Sequence, residues 1–243
     1  MKKIRLDELL LRSGLCSDID HAARLIGAGE VFIAESCADK AGSLYAENTK
    51  IILKEKCPYV SRGGYKLAGG LKHFSFSPEG LTCIDIGASS GGFTDCLLQK
   101  GAKRVYAVDV AYGMLDWKLR QDSRVIVIER FNARNISTEE IPEPIDLAVI
   151  DAAFISLTKL IPPLISLFDE NITIICLIKP QFELPRSLIP KGGVVKNPDD
   201  HQQAISKIVT FGEEMGFSVS RAVDSPILGP KGNREFLVQI TNK

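Results

Sequence analysis

The chain of 243 residues lacks the features of a membrane protein or of a secreted one. Its longest apolar stretch, residues 172–178, is far shorter than the roughly 18 residues that a membrane-spanning helix needs. The first residues, Met1-Lys2-Lys3-Ile4-Arg5, do not contain the apolar core of a signal peptide. These absences make the cytoplasm the expected location.

Cysteine, histidine and net charge do not indicate a function either. The six cysteines form no C-x-x-C pair, so reduced thiols are expected and no metal site is predicted. The 30 basic side chains are balanced by 30 acidic ones, so any site for a polyanion must be a local patch. His21, His73 and His201 are assigned no role, and His201, beside Asp199 and Asp200 at a predicted helix start, is expected at the surface.

The most informative sequence is a strand, a glycine-rich turn and a helix within residues 81–100. The apolar run 81–86 is typical of a buried parallel strand, and helical spacing of apolar residues begins at Phe93. Gly87, Gly91 and Gly92 lie between them. Glycine permits positive φ and close approach of a ligand to the backbone, and the helix N-terminus offers free N–H groups. The segment therefore predicts a cradle for a nucleotide-type ligand.

Three interpretations of this turn compete. Its spacing is not G-x-G-x-x-G, which disfavours a dinucleotide site. Residues 87–91 match G-x-S-x-G, and Ser89, Asp151 and His201 follow the chain order of an α/β-hydrolase triad. A glycine turn without a ligand is the third interpretation, and it is disfavoured by the acidic residues Asp85 and Asp95 on either side.

Predicted strands and helices alternate after the turn, which is typical of an α/β fold with a doubly wound parallel sheet. The last two strands have no helix between them and are expected to pair antiparallel at the sheet edge. The predicted strands are 105–108, 125–128, 147–150, 172–178, 217–223 and 235–241, and the predicted helices are 114–119, 155–168 and 204–215.

Ionisable residues stand where four of the predicted strands end. Asp85, Asp109, Asp151 and Lys179 are expected to converge, because ligands of open α/β sheets bind at the carboxyl ends of the strands. Charged groups at the end of an apolar strand are more often functional than structural. Asp109 is the candidate for accepting both hydroxyls of a ribose.

The first 56 residues predict a separate small unit. Helices are predicted at 5–13 and 18–26 and short strands at 31–34 and 50–53. Pro58 marks a hinge over residues 57–60, and a short helix at 65–74 follows, with Lys66 at its start. The predicted organisation is a domain at 1–56, a linker at 57–60 and a second domain at 61–243.

The runs R-L-D-E-L-L, A-A-R-L-I-G-A-G-E-V-F-I and K-A-G-S-L in this first unit resemble a small RNA-binding module, here called the S-four domain. The chain departs from that pattern at Asp18, where Arg is usual, and at Glu35-Ser36, where an Asn-Gly turn is usual. Ordinary solvated surface charge is the alternative to RNA contact for its basic residues. The candidate phosphate contacts are Lys2, Lys3, Arg5, Arg12 and Arg24.

The segment D-I-G-A-S-S-G-G-F-T-D resembles motif I of the S-adenosylmethionine (SAM) methyltransferases, and most of all the FtsJ-type group that includes the TlyA family. The resemblance implies a Rossmann-like fold, SAM as cofactor, and 2′-O-methylation of ribose, with a cytidine of ribosomal RNA as target. It also implies a Lys-Asp-Lys-Glu tetrad around the ribose 2′-hydroxyl. The matching residues are Lys66 in S-R-G-G-Y-K-L, Asp151 in V-I-D-A-A-F, Lys179 in L-I-K-P-Q-F-E and Glu235 in G-N-R-E-F-L-V.

Roles follow from this resemblance. Lys179 is expected to accept the hydroxyl proton and to stabilise the developing alkoxide, with Asp151 and Glu235 orienting the two lysines. The residues expected at the methionine and ribose region of SAM are Gly87, Ser89, Gly91, Gly92 and Phe93. Asp85 is expected at its amino end, Asp109 at its ribose and Asn132 at the edge of its adenine. Phe154 is expected to pack on the cofactor unless it belongs to the core. For RNA they are Arg62, Arg130 and Arg134.

A membrane-active hemolysin is an alternative, because TlyA relatives also carry that name. The sequence disfavours it, since it offers no secretion signal, no long apolar helix and no basic amphipathic helix.

Overall fold

A computed structural model of the chain describes residues 3–34, 36–54 and 57–243. The chain divides into two compact units, Met1–Pro58 and Tyr59–Lys243, and the division falls within the predicted linker. Lys2 and Glu35, which the sequence analysis singled out, lie outside the described residues. No helix in the described ranges has the length and hydropathy that crossing a bilayer requires.

The first unit packs two helices against short strands. Its core contains Leu6, Leu10, Ala22, Ile26 and Val31. Strands β1 and β4 pair antiparallel, and β2 pairs antiparallel with both β3 and β5. The elements are β1 (Lys3–Arg5), α1 (Leu6–Arg12), α2 (Ile19–Gly27), β2 (Val31–Ile33), β3 (Ser36–Cys37), β4 (Leu44–Ala46) and β5 (Ile51–Leu53).

The second unit is built on an eight-stranded sheet. In chain order its elements are α3 (Gly63–His73), β6 (Thr82–Ile86), α4 (Gly92–Gln99), β7 (Arg104–Val108), α5 (Trp117–Arg120), β8 (Val125–Ile128), β9 (Leu147–Ile150), α6 (Ile161–Leu164), β10 (Thr173–Ile178), α7 (Pro180–Glu183), α8 (Pro198–Glu214), β11 (Ser218–Val219), β12 (Val223–Asp224) and β13 (Phe236–Thr241).

The strand order is β11-β13-β10-β9-β6-β7-β8, and β12 also pairs with β13. The five strands from β10 to β8 are parallel, whereas β13 runs antiparallel to β10, β11 and β12. Strands β6 and β9 are buried along their whole length, as the continuous apolar sequence of β9 and the largely apolar sequence of β6 predict. The predicted α/β fold class with an antiparallel last strand is confirmed.

Helices cover both faces of this sheet. Leu67 of α3 and Leu97 of α4 pack on one face, and Ala204 and Ile208 of α8 pack on the other. The chain runs from β6 outward to β8 and then returns to the opposite side of β6 with β9. A crevice forms at such a change of direction, beyond the carboxyl ends of the strands.

Three predicted helices are wrong in detail. The helix expected at 114–119 is limited to α5, because Asp116 caps it by accepting from the backbone N–H of Lys118. The helix expected at 155–168 is broken into short turns around α6, which contains Pro162 and Pro163; proline has no N–H to continue the ladder. The helix expected at 204–215 is α8, which begins earlier, at Pro198.

The strand expected at 217–223 is two short strands, β11 and β12. Ser220 lies between them and interrupts the ladder, because its Oγ accepts the backbone N–H of Gln239 at 2.9 Å. His201 is buried rather than exposed. Its Nε2 lies 3.0 Å from the Val195 carbonyl oxygen, and its ring packs on Phe236.

Candidate active site

A cavity of about 400 Å³ opens at the crevice beyond β6 and β9. This volume is within the range of small-molecule sites. Five segments of the second unit supply its wall: the start of α3, the glycine turn after β6, the residues after β9 and β10, and the loop before β13. The lining includes Ser61, Arg62, Gly63, Lys66, 87–90, Gly92, Phe93, Asp151, Ala153, Lys179 and 227–230.

The glycine turn is held tightly against its neighbours. Gly87 has φ of +85°, and a Cβ there would lie 2.8 Å from the Asp151 carbonyl oxygen. A Cβ on Gly92 would lie 2.3 Å from Ser61 Oγ and 2.9 Å from the Gly64 backbone nitrogen. Only glycine fits both positions, which brings the backbone at the start of α4 directly to the cavity wall.

Two lysines and two carboxylates meet at the floor of the cavity. Lys66 Nζ lies 2.7 Å from Glu235 Oε2 and 3.8 Å from Asp151 Oδ2. Lys179 Nζ lies 2.5 Å from Asp151 Oδ1 and 3.5 Å from the Asp151 carbonyl oxygen. Asp151 therefore bridges the two lysines, and the structure brings all four predicted residues together.

The four side chains of this cluster differ in burial. Glu235 is completely buried, whereas the Asp151 side chain is 18% exposed and Lys179 11% exposed. Two cations and two anions balance, which is the condition under which charges are tolerated at such a depth. Lys66, Asp151 and Lys179 therefore face whatever occupies the cavity, whereas Glu235 lies behind Lys66 and is not on the wall.

Asp85 lies beneath the glycine turn and not on the cavity wall. Its carboxyl is completely buried and accepts from Thr94 Oγ1 at 2.6 Å. Burial raises the pKa of Asp85 to about 7, and the Thr94 hydrogen bond opposes that rise. Asp85 thus supports α4 from below, and its contact with the amino end of SAM stays a prediction.

Asp109 follows β7 and is also outside the cavity wall. Its Oδ2 accepts the Ser89 backbone N–H and its Oδ1 accepts the Ala111 backbone N–H, each at 2.8 Å. Both oxygens are thus engaged by the backbone, although each retains a lone pair for a hydroxyl donor. Ser89 itself has φ of +49° and lines the cavity. Gly91, with φ of +94°, faces Leu119 instead.

A second cavity, of about 810 Å³, adjoins the first at Ala153. Asn132, Arg134 and Phe154 line it, together with the basic residues Lys159 and Arg186. Phe154 is 90% exposed and is therefore not a core residue. Two residues expected at SAM, Asn132 and Phe154, are thus on this neighbouring wall, and Asn132 Oδ1 accepts from Arg134 Nε at 3.1 Å.

The other arginines expected at RNA occupy separate positions. Arg62 lines the first cavity and donates from Nη2 to the Leu228 carbonyl oxygen at 3.3 Å. Arg130 is exposed, and its guanidinium lies 4.1 Å from the centre of the Tyr112 ring.

Two of the four described candidates in the first unit are paired with carboxylates. Arg5 contacts Asp7 at 2.6 Å and Arg12 contacts Glu47 at 3.1 Å, whereas Lys3 and Arg24 are exposed. Asp18, at the position where the S-four pattern usually has Arg, caps α2 by accepting the His21 backbone N–H at 2.7 Å.

The hydrolase arrangement is not assembled. Ser89 and Asp151 line the first cavity, but His201 does not, and its Nε2 is engaged by the Val195 carbonyl. Within the described part of the chain, His, Cys, Asp and Glu side chains also form no group of three or more that could hold a metal ion.

Sequence reasoning missed two parts of the site. The loop 227–230 covers one side of the cavity, and only its Gly229-Pro230 turn signal marked it. Asp95 of α4 is almost completely buried, and its Oδ2 accepts the Val60 backbone N–H at 2.8 Å, which fixes the chain just before α3.

Comparison with known proteins gives consistent matches. Residues 59–241 match the FtsJ-like methyltransferase family. The 16S/23S rRNA (cytidine-2′-O)-methyltransferase TlyA of Mycobacterium tuberculosis is 39% identical over 98% of this chain and 89% of its own length. Hemolysin A of Brachyspira hyodysenteriae is 37% identical over 96% of this chain and 98% of its own length. A solved structure from Streptococcus thermophilus, which also carries the hemolysin name, is 40% identical over 100% of this chain and 90% of that one, with a TM-score of 0.76.

Proposed function

Because the chain belongs to the FtsJ-like methyltransferase family, we propose that it is a SAM-dependent 2′-O-methyltransferase that acts on ribose in ribosomal RNA, at cytidine. The observation that carries the proposal is the cluster in which Asp151 bridges Lys179 at 2.5 Å and Lys66 at 3.8 Å, with Glu235 behind Lys66. The printed activity of the Mycobacterium tuberculosis relative supports cytidine of rRNA as the target.

The cradle fits the proposed cofactor. Side chains are excluded at Gly87 and Gly92, because a Cβ at either position would collide with backbone of the site. The N-terminus of α4 consequently presents unobstructed N–H groups to a carboxylate such as that of the methionine moiety. When bound, SAM supplies a methyl group activated by its positively charged sulfur. We assign Gly87, Ser89, Gly91, Gly92 and Phe93 to its methionine and ribose region and Asp109 to its ribose hydroxyls.

The cluster supplies what a ribose hydroxyl needs in order to attack. Such a hydroxyl does not ionise near neutral pH, so its reactivity requires a group to take the proton and a cation to stabilise the alkoxide. Lys179 is placed at the cavity to do both: as the neutral amine it takes the hydroxyl proton, and the ammonium that results stabilises the developing alkoxide. Asp151 holds its Nζ in position. In well-oriented reactions, alignment of two reactants contributes up to about 7 to 11 kcal/mol.

RNA is assigned to the basic residues around this cluster. Arg62 lies on the cavity wall, and Arg134, Lys159 and Arg186 line the adjoining cavity. In the S-four-like first unit, Lys3 and Arg24 are the better candidates, because Arg5 and Arg12 are already paired with carboxylates. We also infer that the protein works in the cytoplasm, where its rRNA substrate is found.

The direct test is transfer of labelled methyl from SAM to rRNA. We expect Lys179→Ala to abolish transfer while leaving the dissociation constant for SAM within about twofold of wild type, because Lys179 lies beyond the glycine cradle. Lys72→Ala, an exposed lysine on α3, is the control and should transfer methyl normally. Transfer by Lys179→Ala at the wild-type rate contradicts the assignment. Mapping 2′-O-methyl groups on rRNA from cells with and without the protein identifies the nucleotide.

The hemolysin name of two relatives supports a second candidate function, a direct action on membranes. Leakage of dye from liposomes mixed with the purified protein measures it. Leakage that persists in Lys179→Ala would establish a membrane activity independent of methyl transfer. Intact liposomes at micromolar protein would exclude direct lysis.

A further inference from the structure

Glu183 is a buried carboxylate for which the proposed chemistry has no role. It ends α7, four residues after Lys179, and is only 4% exposed. Burying a carboxylate is unfavourable unless it is paired and hydrogen-bonded. Its partners are therefore informative about what it holds in place.

The hydrogen-bond partners of the Glu183 carboxylate all lie outside α7. Oε1 accepts the Leu157 backbone N–H at 2.8 Å, and Oε2 accepts Ser156 Oγ at 2.5 Å. Lys207 Nζ, from α8, lies 3.0 Å from Oε2 and also donates to the Glu183 carbonyl oxygen at 2.7 Å. The carboxylate thus joins the end of α7, residues 156–157 and α8.

These contacts give the segment 151–157 two attachments to the segment 179–183. At its start, Asp151 contacts Lys179, and at its end, Ser156 and Leu157 contact Glu183. Between the attachments, Phe154 has φ of +63°, an uncommon conformation for a bulky residue that persists only where surrounding contacts impose it. The segment is therefore a short, strained bridge fixed at both ends.

We infer that Glu183 is a positioning residue for methyl transfer: by holding Ser156 and Leu157 it fixes the segment that carries Asp151, and through Asp151 it fixes Lys179 Nζ. The inference rests on the proposed function. A charge-assisted hydrogen bond to a buried carboxylate is strong, and a misplacement of about 1 Å in a reacting group costs about 100-fold in rate. Loss of Glu183 consequently lowers the rate of transfer without removing any group that touches a substrate.

The test compares Glu183→Gln and Glu183→Ala in the full chain with Glu143→Gln as control. Glu143 also accepts from a buried partner, Tyr106, and pairs with Arg104, but it lies at the amino ends of the strands, away from the site. We expect kcat for rRNA methylation to fall at least tenfold in Glu183→Ala and less in Glu183→Gln, whose amide oxygen still accepts from Leu157. The KM for rRNA and the Kd for SAM should stay within twofold, and kcat of Glu143→Gln should be unchanged.

Ser156→Ala provides a milder variant if Glu183→Ala does not fold. It removes the hydroxyl donated to Glu183, together with that hydroxyl's contacts to Thr158 and Lys207, and leaves the carboxylate with Leu157 and Lys207. We expect a twofold to fivefold fall in kcat with the Kd for SAM unchanged. Equal losses in Glu183→Gln and Glu143→Gln, or a full kcat in Ser156→Ala and Glu183→Gln, would overturn the inference. Absence of transfer by the wild-type protein would instead overturn the proposed function, so the two failures are distinguishable.

Discussion

The buried pair Lys66–Glu235 allows a quantitative prediction about stability. The two charges lie 2.7 Å apart with side chains 9% and 0% exposed. Their attraction is about 6 kcal/mol at an effective dielectric constant of about 20, and that of Lys66 to Asp151 at 3.8 Å is about 4 kcal/mol. Desolvation offsets most of this, but removal of Lys66 leaves Glu235 uncompensated, and removal of Glu235 leaves Lys66 only the longer contact to Asp151. Breaking a buried pair in this way costs about 3 to 5 kcal/mol.

We therefore expect Lys66→Met and Glu235→Gln each to lower the free energy of unfolding by about 3 kcal/mol or more. The double variant should lose less than the sum, with a coupling energy of at least about 1.5 kcal/mol. Urea unfolding followed by circular dichroism measures all four proteins of the cycle. The control cycle uses Arg234 and Asp224, a pair at 2.6 Å that is 49% and 60% exposed, where the coupling should stay below about 1 kcal/mol. Equal coupling energies in the two cycles would refute the reasoning that burial, and not distance, sets the strength of the Lys66–Glu235 ion pair.

Two further predictions concern the glycine turn and the carboxyl beneath it. Gly87→Ala should abolish SAM binding measured by calorimetry, since its Cβ would collide with the Asp151 carbonyl. The control is Gly80→Ala, which should bind SAM normally, because Gly80 also has a positive φ, +74°, but has open space around it. Tight SAM binding by Gly87→Ala would contradict the proposed cradle. The pKa of about 7 for Asp85 exceeds its unfolded value, so the folded state holds an extra proton between pH 4 and 7 and stability falls as pH rises through that range. Asp85→Asn has no such titrating group, so its free energy of unfolding relative to that of the wild type should rise by about 4 kcal/mol from pH 4 to pH 7. Urea unfolding at several pH values measures this difference. Parallel pH profiles of stability for the two proteins would exclude the raised pKa.

The parallel strands were the most predictable part of the fold. The bounds of β8 and β9 are as expected from the sequence, and those of β7 and β10 differ by one residue, because each of these strands contains a run of apolar residues that marks it. Strands β1 and β4 were not predicted. They are only three residues long, and Leu44 of β4 is 59% exposed, so no hydrophobic pattern marks them.

The site was predictable where a charged residue ends an apolar strand, as at Asp151 and Lys179. It was less predictable where a contact depends on how loops fold back. Nothing in the sequence around Glu183 or Asp95 specifies that each accepts a backbone N–H from 26 or 35 residues away. The burial of His201 was missed for the same reason, because its polar neighbours Asp199 and Asp200 indicate a surface while its ring turns inward onto Phe236.

Strand β13 lies inside the sheet, between β10 and β11, and Glu235 immediately precedes it. Lys66 and its partner are thus separated by 169 positions, and the Lys66–Glu235 pair cannot form before Glu235 is in place beside the sheet. A polypeptide that stops short of residue 235 should therefore lack both the complete tetrad and strand β13, and we expect it to be inactive. Methylating capacity would therefore report on completion of the entire second unit during biosynthesis.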